Sequence, residues 1–193
     1  MAPTHASLLR FVRGYVDLPQ SAEGRLLAGW EAFALSPGEA LLGCGQTCGH
    51  LYFLEAGLLR YYALDAEGGE VTKFFTEPPY LFTALRSYNS GRPSREGISA
   101  VVASRGLRLT RDAAAELDDL PAWNTFVRLL IAEVQGFTED ILVAASTQTP
   151  EERYAALVRE RPALLRQLPL KYLASYLGIA PQSLSRIRRR LAD

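Results

Sequence analysis

The sequence predicts an α+β protein: N-terminal helices, an antiparallel β-roll of jelly-roll type, one long dimerisation helix and a C-terminal helix-turn-helix domain. Three observations carry that reading. The middle of the chain is built from short β-branched and aromatic runs punctuated by glycine. Next come apolar residues that recur at alternating intervals of three and four. The segment from Leu170 to Leu191 then reads as a helix, a glycine turn and a basic helix.

Leu8 to Phe33 is amphipathic enough for one or two helices, interrupted near Pro19. From about Phe33 to Thr110 the pattern becomes strand-like. Leu51 to Leu54, a turn at Gly57, and Leu58 to Leu64 read as strand, turn, strand. Asp65 to Gly69 is a hairpin loop leading into Val71 to Thr76. Ile98 to Ala103 and Leu107 to Thr110 are predicted to flank a turn at Ser104-Arg105-Gly106. Several short strands at regular spacing indicate a sandwich or roll.

A helical stretch is predicted from about Asp112 to Ser146, with Pro121 suited to the first turn of its main part. Val127, Leu130, Val134, Phe137, Ile141 and Ala144 make an a/d seam that needs a partner, either the chain's own β domain or a second copy; the helix-turn-helix downstream favours the second copy. Thr149-Pro150-Glu151-Glu152 is a capping-box sequence, so the domain boundary falls between Ala145 and Pro150. The predicted division is residues 1–111 for the roll with its leading helices, 112–146 for the long helix and 147–193 for the helix-turn-helix.

In that last domain Leu173, Ala174 and Leu177 form one apolar stripe. Ala174 is small where a second helix must cross closely. Gly178 fits a left-handed helix terminus, which glycine adopts without steric cost. Pro181 fits the first turn of the next helix, where its missing N–H is no loss. Leu184, Ile187 and Leu191 are predicted to point inward, and Gln182, Ser185, Arg186 and Arg189 to share the opposite side. Arginine can grip both acceptors of guanine, and glutamine can pair with adenine. These four are the candidate base-contacting residues. Lys171, Arg188 and Arg190 are the candidate phosphate contacts, which supply affinity without sequence information.

Charge is placed to match. The chain holds 21 basic and 21 acidic residues. From Pro150 onward there are nine Lys/Arg against four Asp/Glu, leaving 12 against 17 in the preceding residues. A basic end on a neutral chain calls for an anionic partner, double-stranded DNA, at that end alone. With 48% apolar residues the chain can build a core. It contains no apolar run long enough to span a bilayer and no secretory leader pattern, so no membrane partner and a cytoplasmic location are expected.

The order of elements, together with Ser36-Pro37-Gly38-Glu39, the Leu51 to Tyr62 hairpin centred on Gly57 and the tail from Leu168 to Leu191, resembles the Crp/Fnr family of bacterial transcription regulators along nearly the full length. That resemblance implies a cyclic-nucleotide-binding-like sensor roll, a homodimer paired through the long helix, and a recognition helix at about Pro181 to Leu191. It further implies RNA polymerase and a small effector as partners. Family members often continue into a β-hairpin wing; this sequence stops at Asp193, so a wing is expected to be missing. Nucleotide-binding members carry a Gly-Glu pair and, later, an Arg followed by a small hydroxyl residue. The matching region, Leu81 to Glu96, has no Gly-Glu pair, and Glu96 follows Arg95 where it would repel a phosphate. Cyclic AMP is therefore not an expected cofactor. Arg86, Arg92 and Arg95 remain candidates for another anionic ligand, and equally for solvated loop charges.

Other chemistry is thin. Cys44 and Cys48 are the only cysteines, too few for a four-cysteine iron–sulfur cluster, and are read as reduced thiols. His5 and His50 are the only histidines, too few for a histidine-rich metal site. No Ser-His-Asp layout, glycine-rich phosphate loop or paired-acid motif is present, so no enzymatic activity is expected. The alternative from another class is a cytosolic small-ligand or protein-binding roll whose helical tail mediates assembly.

Overall fold

A computed structural model describes residues 5–191; the ends of the first and last predicted domains lie outside the described residues. Two helices open the chain, α1 (His5–Arg13) and α2 (Gln20–Leu27), and they bury Leu8, Val12, Ala22 and Leu26. The helical reading to Phe33 overshoots, because Glu31–Leu35 is a strand, β1. There Phe33 and Leu35 alternate inward, and Trp30 closes the preceding turn by donating its indole N–H to the Leu26 carbonyl at 2.8 Å.

The roll continues with β2 (Ala40–Leu42), β3 (His50–Leu64), β4 (Glu70–Thr76), β5 (Tyr80–Phe82), the short helix α3 (Leu85–Ser90) and β6 (Glu96–Thr110). All pairings are antiparallel, in the order β1-β6-β3-β4, with β2 also on β6 and β5 also on β3. The Asp65–Gly69 hairpin forms as expected: Asp65 Oδ1 accepts from the N–H groups of Glu67 and Gly69 at 2.9 and 2.7 Å.

Both expected turns inside the strands are corrected. Gly57 and Ser104-Arg105-Gly106 lie within continuous strands, and β3 pairs with β6 from His50↔Thr110 to Ala63↔Glu96. The two glycine-marked points face each other across this ladder. Its register shifts between Leu54 and Leu59, and Gly57 takes φ +109°. A Cβ on Gly57 would stand 2.2 Å from Ser104 Oγ and 2.5 Å from Ser104 Cα. Ser104 Oγ accepts from the Leu58 N–H at 3.1 Å and donates to the Val102 carbonyl at 2.8 Å, so the irregular backbone is satisfied locally. A glycine that reads as a turn in sequence is here a β-bulge bending two long strands together.

The bend gives the two strands separate duties. Phe53, Leu107 and Leu109 pack with the flanking helices, while Tyr52, Leu54, Leu59, Tyr61, Ile98 and Ala100 fill the roll.

The single helix predicted over 112–146 is also corrected. Thr110 caps a short α4 (Arg111–Ala115) by accepting from the Ala113 N–H at 3.3 Å. The chain then turns so that Leu117 and Leu120 face inward, and α5 (Pro121–Thr147) starts at Pro121 as expected. Burial of those two leucines outweighs helical continuity. Thr149 and Glu152 form the capping box that opens α6 (Pro150–Glu160). There follow α7 (Pro162–Gln167), which the sequence pattern did not separate, then α8 (Leu170–Leu177) and α9 (Pro181–Arg190).

Gly57→Ala should destabilise the protein by roughly 2–5 kcal/mol, combining a left-handed alanine with a backbone clash. Chemical denaturation of the purified variant checks this.

Candidate nucleic-acid interface

The C-terminal helices fold around their own small core of Tyr154, Leu173, Ala174, Leu177, Leu184 and Ile187. Ala174 is buried where α8 and α9 meet, as its size requires. Gly178 takes φ +72°, and the N–H of Ile179 reaches back to the Ala174 carbonyl at 3.0 Å, closing the end of α8. Leu184 and Ile187 anchor α9 inward as expected. Leu191 does not follow them: it lies past the last turn of α9 and is 49% exposed, because the domain core ends at Ile187.

Gln182, Ser185, Arg186 and Arg189 are all exposed on the side of α9 opposite its buried residues. Ser185 Oγ donates to the Pro181 carbonyl at 3.0 Å, and Arg186 donates to Ser183 Oγ at 3.1 Å. Arg186, Arg189 and Arg190 border one open depression together with Ser183 and Ile187. Arg190 is held back to α6 by an ion pair with Glu151 at 2.6 Å. Arg190 is exposed and Glu151 half-exposed, so solvent weakens the pair and a phosphate can compete for that arginine. Arg188 and Arg189 have no ion-pair partner among the described residues. Lys171 is exposed near the start of α8, at the opposite end from the turn, with Nζ 4.8 Å from the Tyr172 ring centre.

The predicted sensor residues Arg86, Arg92 and Arg95 are exposed on α3 and the segment after it, away from the roll's interior. That interior is filled by aromatic side chains: Tyr52 stacks on Phe82 at 5.3 Å and Tyr61 on Phe74 at 4.3 Å. Burial holds the Tyr61 phenol well above its ordinary range. Glu96, the acid expected to oppose a phosphate, is paired with Lys73.

Cys48 is buried with Sγ 3.2 Å from Thr83 Oγ1, while Cys44 is half-buried and its thiol is raised, first by burial. A raised thiol carries little reactive thiolate at neutral pH. His50 opens β3; burial, and then the Arg108 charge, lower its pKa. Among the described residues no cluster of three or more His, Cys, Asp or Glu could hold a metal ion, and no helix is long and apolar enough to cross a membrane.

The α5 seam is only partly free. Leu130 is buried in the core with Trp123 and Phe126, Val127 packs against that core, and the Phe137 ring meets Phe74 of β4 edge-on at 6.0 Å. Val134 and Ile141 are half-buried. The helix is apolar on more than one side, and Ile131, Leu142 (68% exposed) and Val143 (57%) point outward instead.

Arg60 escaped the sequence reading. On β3 it lies between Leu58 and Tyr62 on the face away from the roll's interior, and it is only 3% exposed. A charge inside the apolar run Leu58 to Leu64 was the available signal.

No protein-family model and no curated protein sequence matches the chain. Solved structures do match it. FixK2 from Bradyrhizobium japonicum has a TM-score of 0.69 at 20% identity, over 84% of this chain and 84% of its own. A Crp/Fnr-family transcriptional regulator from Eubacterium rectale has 0.73 at 16%, over 91% of this chain and 84% of its own. The c-di-GMP-responsive global regulator CLP of Xanthomonas campestris has 0.73 at 11%, over 90% of this chain and 92% of its own. The chain thus has the Crp/Fnr-type fold, a β-roll joined by a long helix to a C-terminal helix-turn-helix domain.

Ala180 precedes α9 with φ −67° and ψ 147° and offers no side-chain cap. Ala180→Ser should stabilise the domain by about 1 kcal/mol, measured as a shift in its thermal unfolding.

Proposed function

We propose that this protein is a sequence-specific DNA-binding transcriptional regulator of Crp/Fnr type that acts as a homodimer. The observation that carries the reading is the exposed edge of α9, where Gln182, Ser185, Arg186 and Arg189 stand on a helix fixed through Leu184 and Ile187. Such an edge suits the major groove, whose base pairs present distinct donor and acceptor patterns. Arg188, Arg190 and Lys171 serve as phosphate contacts in this reading. The fold shared with the regulators named above supports it.

Dimer formation is inferred from the outward apolar residues of α5. Ile131 and Leu142 stand on one face of the helix and are costly to leave in water, and a second copy offers the same face. A two-fold pair of reading heads then addresses half-sites about one helical turn apart. The roll is read as a sensor that does not take cyclic AMP, since its interior is occupied by its own aromatic side chains. Arg86, Arg92 and Arg95 lie outside that interior and are the residues available to an anionic effector; RNA polymerase is a further partner in this reading. The role is regulatory and non-enzymatic.

Selection of genomic fragments by the purified protein tests the proposal. A shared two-fold motif is the expected result; sequence-blind recovery lost on a slight rise in salt counts against it. Arg186→Ala should cost roughly 1–3 kcal/mol and relax specificity at one operator position. Arg188→Ala should weaken all sequences alike and reduce the salt slope by about 1. Titrations at several salt concentrations separate the two. Leu142→Asp should raise the dimer dissociation constant at least roughly tenfold, because a buried leucine contributes about 1.5–3 kcal/mol. Analytical ultracentrifugation reads that shift.

A further inference from the structure

The reading head and the roll meet in a contact that combines an apolar patch with a buried charge. Leu58, Phe75 and Val101 on the outer face of the roll pack against Leu164 of α7, with Leu168, Tyr172 and Tyr176 around them. The Arg60 guanidinium is held between two rings, 4.5 Å from the centre of Tyr62 on the roll and 4.0 Å from that of Tyr172 on the head. It also pairs with Glu70 of β4. Beside it, Ser175 of α8 accepts the Thr72 N–H at 2.8 Å and donates to the Glu70 carbonyl at 3.3 Å, so a side chain of the head completes the backbone bonding of the β4 edge. Arg161, between α6 and α7, donates from Nε to Glu77 of the roll at 3.2 Å.

The covalent link between α5 and the head is short. Gln148 alone, extended at φ −113° and ψ 144°, separates the end of α5 from the Thr149 cap of α6. A single extended residue leaves orientation open, so the head's position depends on the non-covalent contact. Within that contact Arg60 Nε and Thr72 Oγ1 are buried without a hydrogen-bond partner. A buried charge with incomplete bonding adds less strength than apolar packing would, but it defines one register. In the docked position the base-reading candidates on α9 stay exposed.

We infer that Arg60 is a positioning residue: clamped between Tyr62 and Tyr172, it locks the head onto the roll in the orientation that reads DNA, and so sets the spacing of half-sites the dimer accepts. The inference rests on the DNA-reading function proposed above. The locked head meets its site already oriented; a released head must be ordered at the moment of binding and so binds more weakly.

The test uses the full chain as Arg60→Met, Tyr172→Ala and Tyr172→Phe. Removing Arg60 leaves Glu70 at a half-exposed site, so no unpaired charge is stranded in the interior. Tyr172→Ala opens the lock from the other side and covers the case in which the first variant folds poorly. Two quantities are read: amide hydrogen exchange across β4 and α8, and affinity for the operator selected by the wild-type protein, with its half-sites at the native spacing and moved by one or two base pairs. For both opening variants the expected result is at least tenfold faster exchange at Thr72 and its β4 neighbours, with the β3–β6 ladder unchanged. Operator affinity should fall at least tenfold, and the discrimination between spacings should be lost. Tyr172→Phe, which keeps the ring, should match the wild type in both readouts. Faster exchange with unchanged affinity and spacing preference would reduce the contact to a structural one and overturn the inference, as would unchanged exchange. A wild-type protein that selects no operator refutes the DNA reading and the positioning role together, while exchange in the variants still reports whether Arg60 holds the head.

Discussion

The antiparallel ladder between β3 and β6 supports everything else in this protein. It joins segments far apart in sequence, and each of its two faces carries a different part of the molecule. Leu59, Tyr61, Ile98 and Ala100 on one face close the interior of the roll. On the other face Leu58 and Val101, with Phe75 of β4, form the seat for the helix-turn-helix domain. The bulge at Gly57 and Ser104 lets the strands bend instead of running on as a flat ribbon, so one pair of strands also reaches the helices at the far end through Phe53, Leu107 and Leu109. A side chain at Gly57 would push those strands apart at the point where both halves of the fold depend on them.

The C-terminal helix-turn-helix follows more local physics. Ala174, Gly178 and Pro181 set how closely and at what turn two short helices can meet, and Leu184 and Ile187 choose which side of α9 faces the core. Polar residues are then left outward by default, and their identity decides what they can bind. Arginine and glutamine on that edge suit bases, while the adjoining arginines add charge usable on any phosphate. The rest of the chain carries an acidic excess, so the net basic charge lies at this end.

Helix α5 carries apolar residues on more than one side. Its first half is committed to the chain's own core through Trp123, Phe126 and Leu130. Farther along, Phe137 still leans on Phe74 of β4, while Ile131, Leu142 and Val143 face away from the chain. Of the residues expected to pair two subunits, Val127 and Leu130 pack within the chain's own core and Phe137 touches the roll, while Val134, Ile141 and Ala144 are half-buried. A helix with apolar residues on several sides offers more than one seam of similar spacing, so periodicity alone cannot choose between them.

The sequence by itself determined the features whose causes lie within a few residues of one another. The Asp65 hairpin, the Thr149–Glu152 capping box, the Pro121 and Pro181 helix starts, the Gly178 turn and the outward edge of α9 all rest on interactions spanning one or two turns. Tertiary structure decided the rest. Gly57 and Gly106 carry the same local signature as loop glycines, and only pairing between strands nearly fifty positions apart makes them parts of a bulge. Leu117 and Leu120 break the predicted helix because a core is available to bury them. Leu191 lost its expected place because that core ends before reaching it. Arg60 acquires its position only when Tyr172, more than a hundred residues later, folds back over it. Spacing fixes what neighbours in the chain can do, whereas the value of a distant contact depends on which surfaces the whole fold leaves facing each other.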